Sequence, residues 1–84
     1  MVKLDITAEA KRDFCQVPHG IQDRILSVFE RLAQWPVVSG AKPLRGQLKG
    51  CFRVRAGDWR VLFRVQGAKV VVFRIDNRRD VYQR

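Results

Sequence analysis

Arginine is the residue type whose number and spacing in this chain could do chemistry. Between Cys51 and Ile75 the sequence reads C-F-R-V-R-A-G-D-W-R-V-L-F-R-V-Q-G-A-K-V-V-V-F-R-I. Five arginines fall in it: Arg53, Arg55, Arg60, Arg64 and Arg74. Guanidinium forks pair with phosphate through two parallel hydrogen bonds and keep their charge at any physiological pH. An arginine is therefore a poor general base, but it can stabilise negative charge that develops on a phosphate. For proton transfer the C-terminal stretch offers Tyr82, whose phenol becomes useful if nearby cations lower its pKa. By chemistry alone Tyr82 reads equally well as a packing residue of the tail. No Ser-His-Asp set, carboxylate pair or metal-ligand cluster is visible, and no cofactor is implied. The only histidine, His19, sits between Pro18 and Gly20 and reads as a surface or capping residue. Cys15 and Cys51 lack C-x-x-C spacing and read as two reduced thiols rather than a disulfide.

The elements that must position these arginines follow from their alternation with apolar residues, the period of strands with one buried face. Gly57-Asp58 and Gly67 divide the stretch into three strands. In the first, Phe52 and Val54 oppose Arg53 and Arg55. In the second, Trp59, Val61, Phe63 and Val65 oppose Arg60, Leu62 and Arg64. In the third, Val71, Phe73 and Ile75 are taken as the core side, opposing Val70, Val72 and Arg74. With the aromatic sides inward, all five arginines share the outer face. The first hairpin needs an even loop, which sets Arg60 opposite Arg55 or opposite Arg53. Directly opposed like charges destabilise a sheet, so a fold that keeps them has a use for the charge. The second hairpin is expected to have an odd loop, three residues with a bulge, matching Val65, Phe63 and Val61 with Val71, Phe73 and Ile75.

Eighty-four residues bound the chain to one domain, 1–84, with a modest core. Seventeen lysines and arginines against eight acids give a net charge of +9. Such a balance calls for a polyanionic or acidic partner. No apolar run approaches the ~18 residues of a membrane span, and M-V-K-L-D-I lacks a signal-peptide core, so a cytoplasmic location without membrane association is expected. Residues 2–6 alternate as a short strand. Thr7 is placed to cap a first helix carrying Ala10, Phe14 and Val17, with Glu9 favouring its dipole. From about Pro18 to Trp35, Ile21, Ile25, Val28, Phe29 and Leu32 form one apolar stripe. Leu26 and Ala33 are expected to widen it toward the first helix. Residues 36–50, rich in Pro and Gly, read as a connector of little regular structure, anchored by Leu44 and Leu48. The end, D-N-R-R-D-V-Y-Q-R, reads as a basic tail.

This order of elements, with its basic face and terminal tyrosine, resembles the RelE/ParE superfamily of bacterial toxin–antitoxin toxins. The resemblance covers nearly the whole chain. It is most specific at P-L-R-G-Q-L-K-G-C-F-R-V-R-A-G-D-W-R-V-L-F-R-V (43–65) and N-R-R-D-V-Y (77–82). It implies an α+β fold, β-α-α-β-β-β with a short C-terminal tail. The sheet would be four-stranded and largely antiparallel, with two helices on one face. RelE-like members are ribosome-dependent endoribonucleases that cut mRNA in the A site, so the resemblance implies a toxin of a type II system that inhibits translation. Arg53 and Arg55 then fall on two basic strand positions, Arg60 on the arginine of the next strand, Arg78 near a late arginine and Tyr82 on the terminal tyrosine. These five are the expected catalytic residues, with Arg64, Arg74, Arg79 and Lys49 as further RNA contacts. The implied partners are an acidic antitoxin, the ribosome and mRNA, and operator DNA only through the antitoxin complex.

One position departs from the family pattern. Asn77 stands where many relatives carry the histidine of an H-R pair, and an amide cannot titrate. Two alternatives to the nuclease follow. One is a ParE-like toxin that inhibits DNA gyrase by binding. The other is a silent toxin-fold module that holds an antitoxin and helps regulate its operon.

Overall fold

The computed structural model describes residues 2–38, 40–44 and 50–77. In chain order these form β1 (Lys3–Ile6), α1 (Ala8–Cys15), α2 (His19–Leu32), β2 (Lys42–Pro43), β3 (Cys51–Ala56), β4 (Trp59–Gln66) and β5 (Lys69–Asn77). The sheet order is β1-β5-β4-β3-β2. All pairs are antiparallel except β1 with β5. The α+β architecture is the expected one, with a fifth strand. That strand is the pair Lys42–Pro43 within the supposedly irregular connector, held against Arg53 and Phe52 at the sheet edge. Two residues are too few for alternation to reveal, and a proline is tolerated there because the strand is an edge.

Thr7 caps α1 as expected: its extended backbone (φ −68°, ψ 162°) lets Oγ1 accept the Ala10 N–H at 3.1 Å. Along α2, Ile25, Val28, Phe29 and Leu32 are buried, and they meet Val54, Ala56, Val61, Phe63, Val70, Val72 and Ile75 from the sheet. Both helices therefore cover one face. Trp35, just past α2, completes an aromatic cluster with Phe52 and Phe63, centroids 5.0 and 5.6 Å away. Leu26 does not widen the stripe; it is 47% exposed. Leu44 is half-buried and its N–H reaches the Cys51 carbonyl at 2.9 Å, whereas Leu48 lies outside the described residues.

The first hairpin turns on Gly57-Asp58, and Arg55 faces Arg60. Gly57 has φ +63°, and among the described residues only glycines have positive φ. A left-handed first position with an ordinary second is the pattern of a II′ turn, whose twist suits a two-residue hairpin. The second hairpin differs from expectation. Its loop is also two residues, Gly67-Ala68, with Gln66 facing Lys69 and Gly67 at φ +60°. The bulge lies within β5 instead, where pairing jumps from Phe63–Val72 to Leu62–Arg74 and leaves Phe73 as the extra residue. Val61–Ile75 is paired as expected, but Val65 faces Val70 and Phe63 faces Val72. Val70 and Val72 therefore enter the core, while Val71 and Phe73 do not. The reason is parity: one inserted residue reverses which alternate positions point inward.

Candidate phosphate-binding face

The register decides which side chains share the open face of the sheet. Residues directly opposite each other lie on one side. Arg53 faces Leu62, which faces Arg74. Arg55 faces Arg60, which faces Asp76. Cys51 faces Arg64, which faces Val71. All five strand arginines thus lie on the face away from the helices. Leu62 and Val71, both buried yet outside the helix-side core cluster, form an apolar floor among them. Arg64 spreads over the Phe73 ring, 5.6 Å from its centroid, an arrangement that orients a cation at little cost.

Arg60 is closely enclosed. Its Nε and Nη2 donate to the two oxygens of Asp76 at 3.2 and 3.4 Å, and the two side chains are only 11% and 12% exposed. Arg74 reaches the same carboxylate at 3.8 Å, with half its side chain in solvent. Asp76 therefore relieves the repulsion that the Arg55–Arg60 opposition would cause, because Arg60 turns toward β5. Sequence reasoning did not single out Asp76. A usable signal was present: once Val61 is matched with Ile75, Arg60 must face Asp76.

Helix α1 fixes this part of β5. Strand β1 ends at Ile6 opposite Val72, so the outer edge of β5 beyond that point has no strand partner among the described residues. Its polar groups go to α1 and its cap. Thr7 N–H donates to the Val72 carbonyl at 2.9 Å, Thr7 Oγ1 to the Phe73 carbonyl at 3.4 Å, and the Ile75 N–H to Asp13 Oδ2 at 3.0 Å. Beyond the sheet face, Arg53 and Arg55 also border a cleft of about 250 Å³ with Arg31, Lys42, Val54 and Gly40. Basic side chains thus continue from the face around the β3 edge toward α2.

Of the other expected site residues, Arg78, Arg79, Tyr82 and Lys49 lie outside the described residues. Asn77 ends β5 opposite Trp59. Among the described residues no cluster of His, Cys, Asp and Glu could hold a metal ion, and no helix is long and apolar enough to cross a membrane. Cys15 and Cys51 are not bonded to each other.

Comparison with known proteins places this arrangement. The family described as ParE toxin of type II toxin-antitoxin system, parDE, matches residues 4–82. Toxin RelG of Mycobacterium tuberculosis is 37% identical over 81 residues, covering 93% of this chain and 92% of that protein. The crystal structure of the RelBE2 toxin–antitoxin complex from the same organism contains a chain that superposes with a TM-score of 0.78 at 31% identity, covering 92% of this chain and 98% of that one. The RelE chain of the RelB–RelE complex from Methanococcus jannaschii has the same fold, with a TM-score of 0.80 at 21% identity over 94% of this chain and 95% of its own. The chain belongs to the RelE/ParE superfamily of toxins of type II toxin–antitoxin systems.

Proposed function

We propose that this toxin is a ribosome-dependent endoribonuclease that cleaves mRNA and so inhibits translation. The observation that carries the reading is the gathering of Arg53, Arg55, Arg60, Arg64 and Arg74 on one sheet face, with Arg60 held by Asp76. In the reaction the 2′-oxygen attacks the adjacent phosphorus and the bond to the 5′-oxygen breaks. The products are a 2′,3′-cyclic phosphate and a free 5′-hydroxyl. Extra negative charge on the phosphate oxygens meets Arg60, with Arg53 and Arg55 beside it, and fixed guanidinium groups stabilise it better than mobile water does. The proton leaving the 2′-hydroxyl ends on the 5′-oxygen. Tyr82 is assigned to that transfer or to stacking on a base, and Arg78 to the phosphate. Arg64, Arg74, Arg79 and Lys49 hold flanking phosphates. The ribosome supplies placement of the mRNA.

An acidic antitoxin is the natural protein partner, since carboxylates would neutralise a domain of charge +9. Two of the solved relatives come from toxin–antitoxin complexes. Operator DNA would be met only through that complex, in the cytoplasm and away from membranes.

The family match favours a second reading, a ParE-like gyrase inhibitor that uses the basic face for binding alone. One paired experiment decides: purified toxin is added to ribosomes programmed with a defined mRNA, and separately to gyrase supercoiling plasmid. Cut mRNA with unimpaired gyrase supports the nuclease. Intact mRNA with blocked supercoiling replaces it with the second reading.

A further inference from the structure

A guanidinium carries five N–H donors in one plane. Asp76 engages the edge of Arg60 formed by Nε and Nη2. The edge formed by Nη1 and the second Nη2 hydrogen keeps three donors, enough to hold two phosphate oxygens side by side. One guanidinium can therefore grip a carboxylate and a phosphate at once, on different edges. The enclosure of the pair, 11% and 12% exposed, leaves the Arg60 head few other orientations.

Asp76 occupies this place only because of the bulge. Continuing the regular pairing that starts at Gln66–Lys69 would set Arg60 opposite Ile75 and turn Asp76 toward the helices. The extra residue, Phe73, reverses the alternation and delivers Arg74 and Asp76 to the arginine face. The bonds from Thr7 to the Val72 and Phe73 carbonyls and from the Ile75 N–H to Asp13 hold the bulged segment on both sides of Arg74. The carboxylate beside Arg60 is thus located by α1, an element on the other side of the sheet.

We propose that Asp76 is a positioning residue of the nuclease. It holds the Nε–Nη2 edge of Arg60 so that the opposite edge meets the scissile phosphate, and Thr7 and Asp13 keep it there through the bulge. The proposal rests on the nuclease reading above. It makes a prediction of sign that two rival roles do not. A carboxylate that merely blocked the phosphate site would, when removed, speed the reaction. One that only stabilised the fold would leave the rate per folded molecule unchanged. A positioning carboxylate sacrifices some attraction for RNA in return for geometry.

The test is single-turnover cleavage of ribosome-bound mRNA by the parent and by Asp76→Asn, each at its measured folded concentration. The maximal rate of Asp76→Asn should fall by about tenfold to a hundredfold, since small misplacement of a transition-state group costs that much. Its half-saturating concentration should stay level or drop, because one negative charge has left a polyanion-binding face. An unchanged or raised maximal rate overturns the proposal. A parent that cleaves nothing overturns the nuclease reading, and the proposal with it. Should Asp76→Asn not fold, side-chain NMR of the parent provides the test, following Arg60 while a single-stranded RNA hexamer with a 2′-deoxy linkage is added to saturation. The Nη1 hydrogens should shift while the Nε hydrogen keeps its protection. Loss of protection at Nε, or no change at Arg60, overturns it.

Discussion

Asp13→Ala should damage a part of the molecule that Asp13 does not cover. The Asp13 carboxylate accepts the Ile75 N–H at 3.0 Å, in a stretch of β5 where the neighbouring strand has already ended. Removing it leaves a backbone donor without its charged acceptor. A hydrogen bond to a charged group contributes about 1.5–3 kcal/mol. Asp13 is half-exposed, so water can partly replace it, and about 1–2 kcal/mol is the reasonable range. For a domain of this size that corresponds to a fall in Tm of about 5–15 °C. Asp13→Asn keeps an oxygen at the same place and should lose less than half as much. Thermal unfolding followed by circular dichroism measures both variants, and amide hydrogen exchange shows whether the Ile75 N–H loses protection ahead of Val61 and Phe63. A Tm within about 2 °C of the parent for Asp13→Ala would refute the clamp. So would equal losses for the alanine and asparagine variants.

Phe63→Ala removes a fully buried ring between Trp35 and Phe52 and should cost about 3–5 kcal/mol in urea unfolding; a cost below about 1 kcal/mol would mean that the core collapses around the gap. The Asp5 carboxyl titrates below the usual aspartate range, because Lys69 Nζ lies 2.8 Å away and donates a hydrogen bond to it. Its contribution to stability is therefore present above the unfolded-state value and fades as pH falls through the lower folded value. NMR titration should show Lys69→Ala returning Asp5 to the usual range, and no change would refute the assignment. Tyr82→Phe keeps the ring and removes the proton, so cleavage of ribosome-bound mRNA should slow by about 10²-fold or more if Tyr82 moves protons; an unchanged rate assigns it to stacking.

Local periodicity carried most of the fold. The apolar stripe of α2, the Thr7 cap and the even loop of the first hairpin each depend on neighbours in sequence, and each was legible there, although the choice of Gly57-Asp58 over Ala56-Gly57 was not. The five arginines were legible as one face for the same reason. Gly67-Ala68 is instructive. Glycine at the first loop position favours a two-residue turn, yet the apolar pattern further along demands a shift of one. The expected three-residue loop reconciles the two at the turn, whereas the chain reconciles them within β5, at Phe73. Alternation shows that a parity change must occur but not where. Where it occurs depends on contacts with α1, and Asp13 and Ile75 are 62 residues apart in sequence. Asp76 stood between these cases. Its pairing with Arg60 follows from Val61–Ile75, but a search for phosphate-binding cations gives no reason to look for the carboxylate that orients them. The two-residue strand Lys42–Pro43 carries too little sequence to announce itself.

In the proposed function the arginine face, with Arg60 at its centre, cleaves mRNA on the ribosome. It is tested most directly by inducing the parent and Arg60→Ala in a bacterium and mapping mRNA 5′ ends by primer extension. Discrete in-frame cuts and growth arrest are expected with the parent, and neither with Arg60→Ala at equal expression. Undiminished cuts with Arg60→Ala would contradict the phosphate assignment, and intact mRNA with arrested DNA replication in the parent would contradict the nuclease itself.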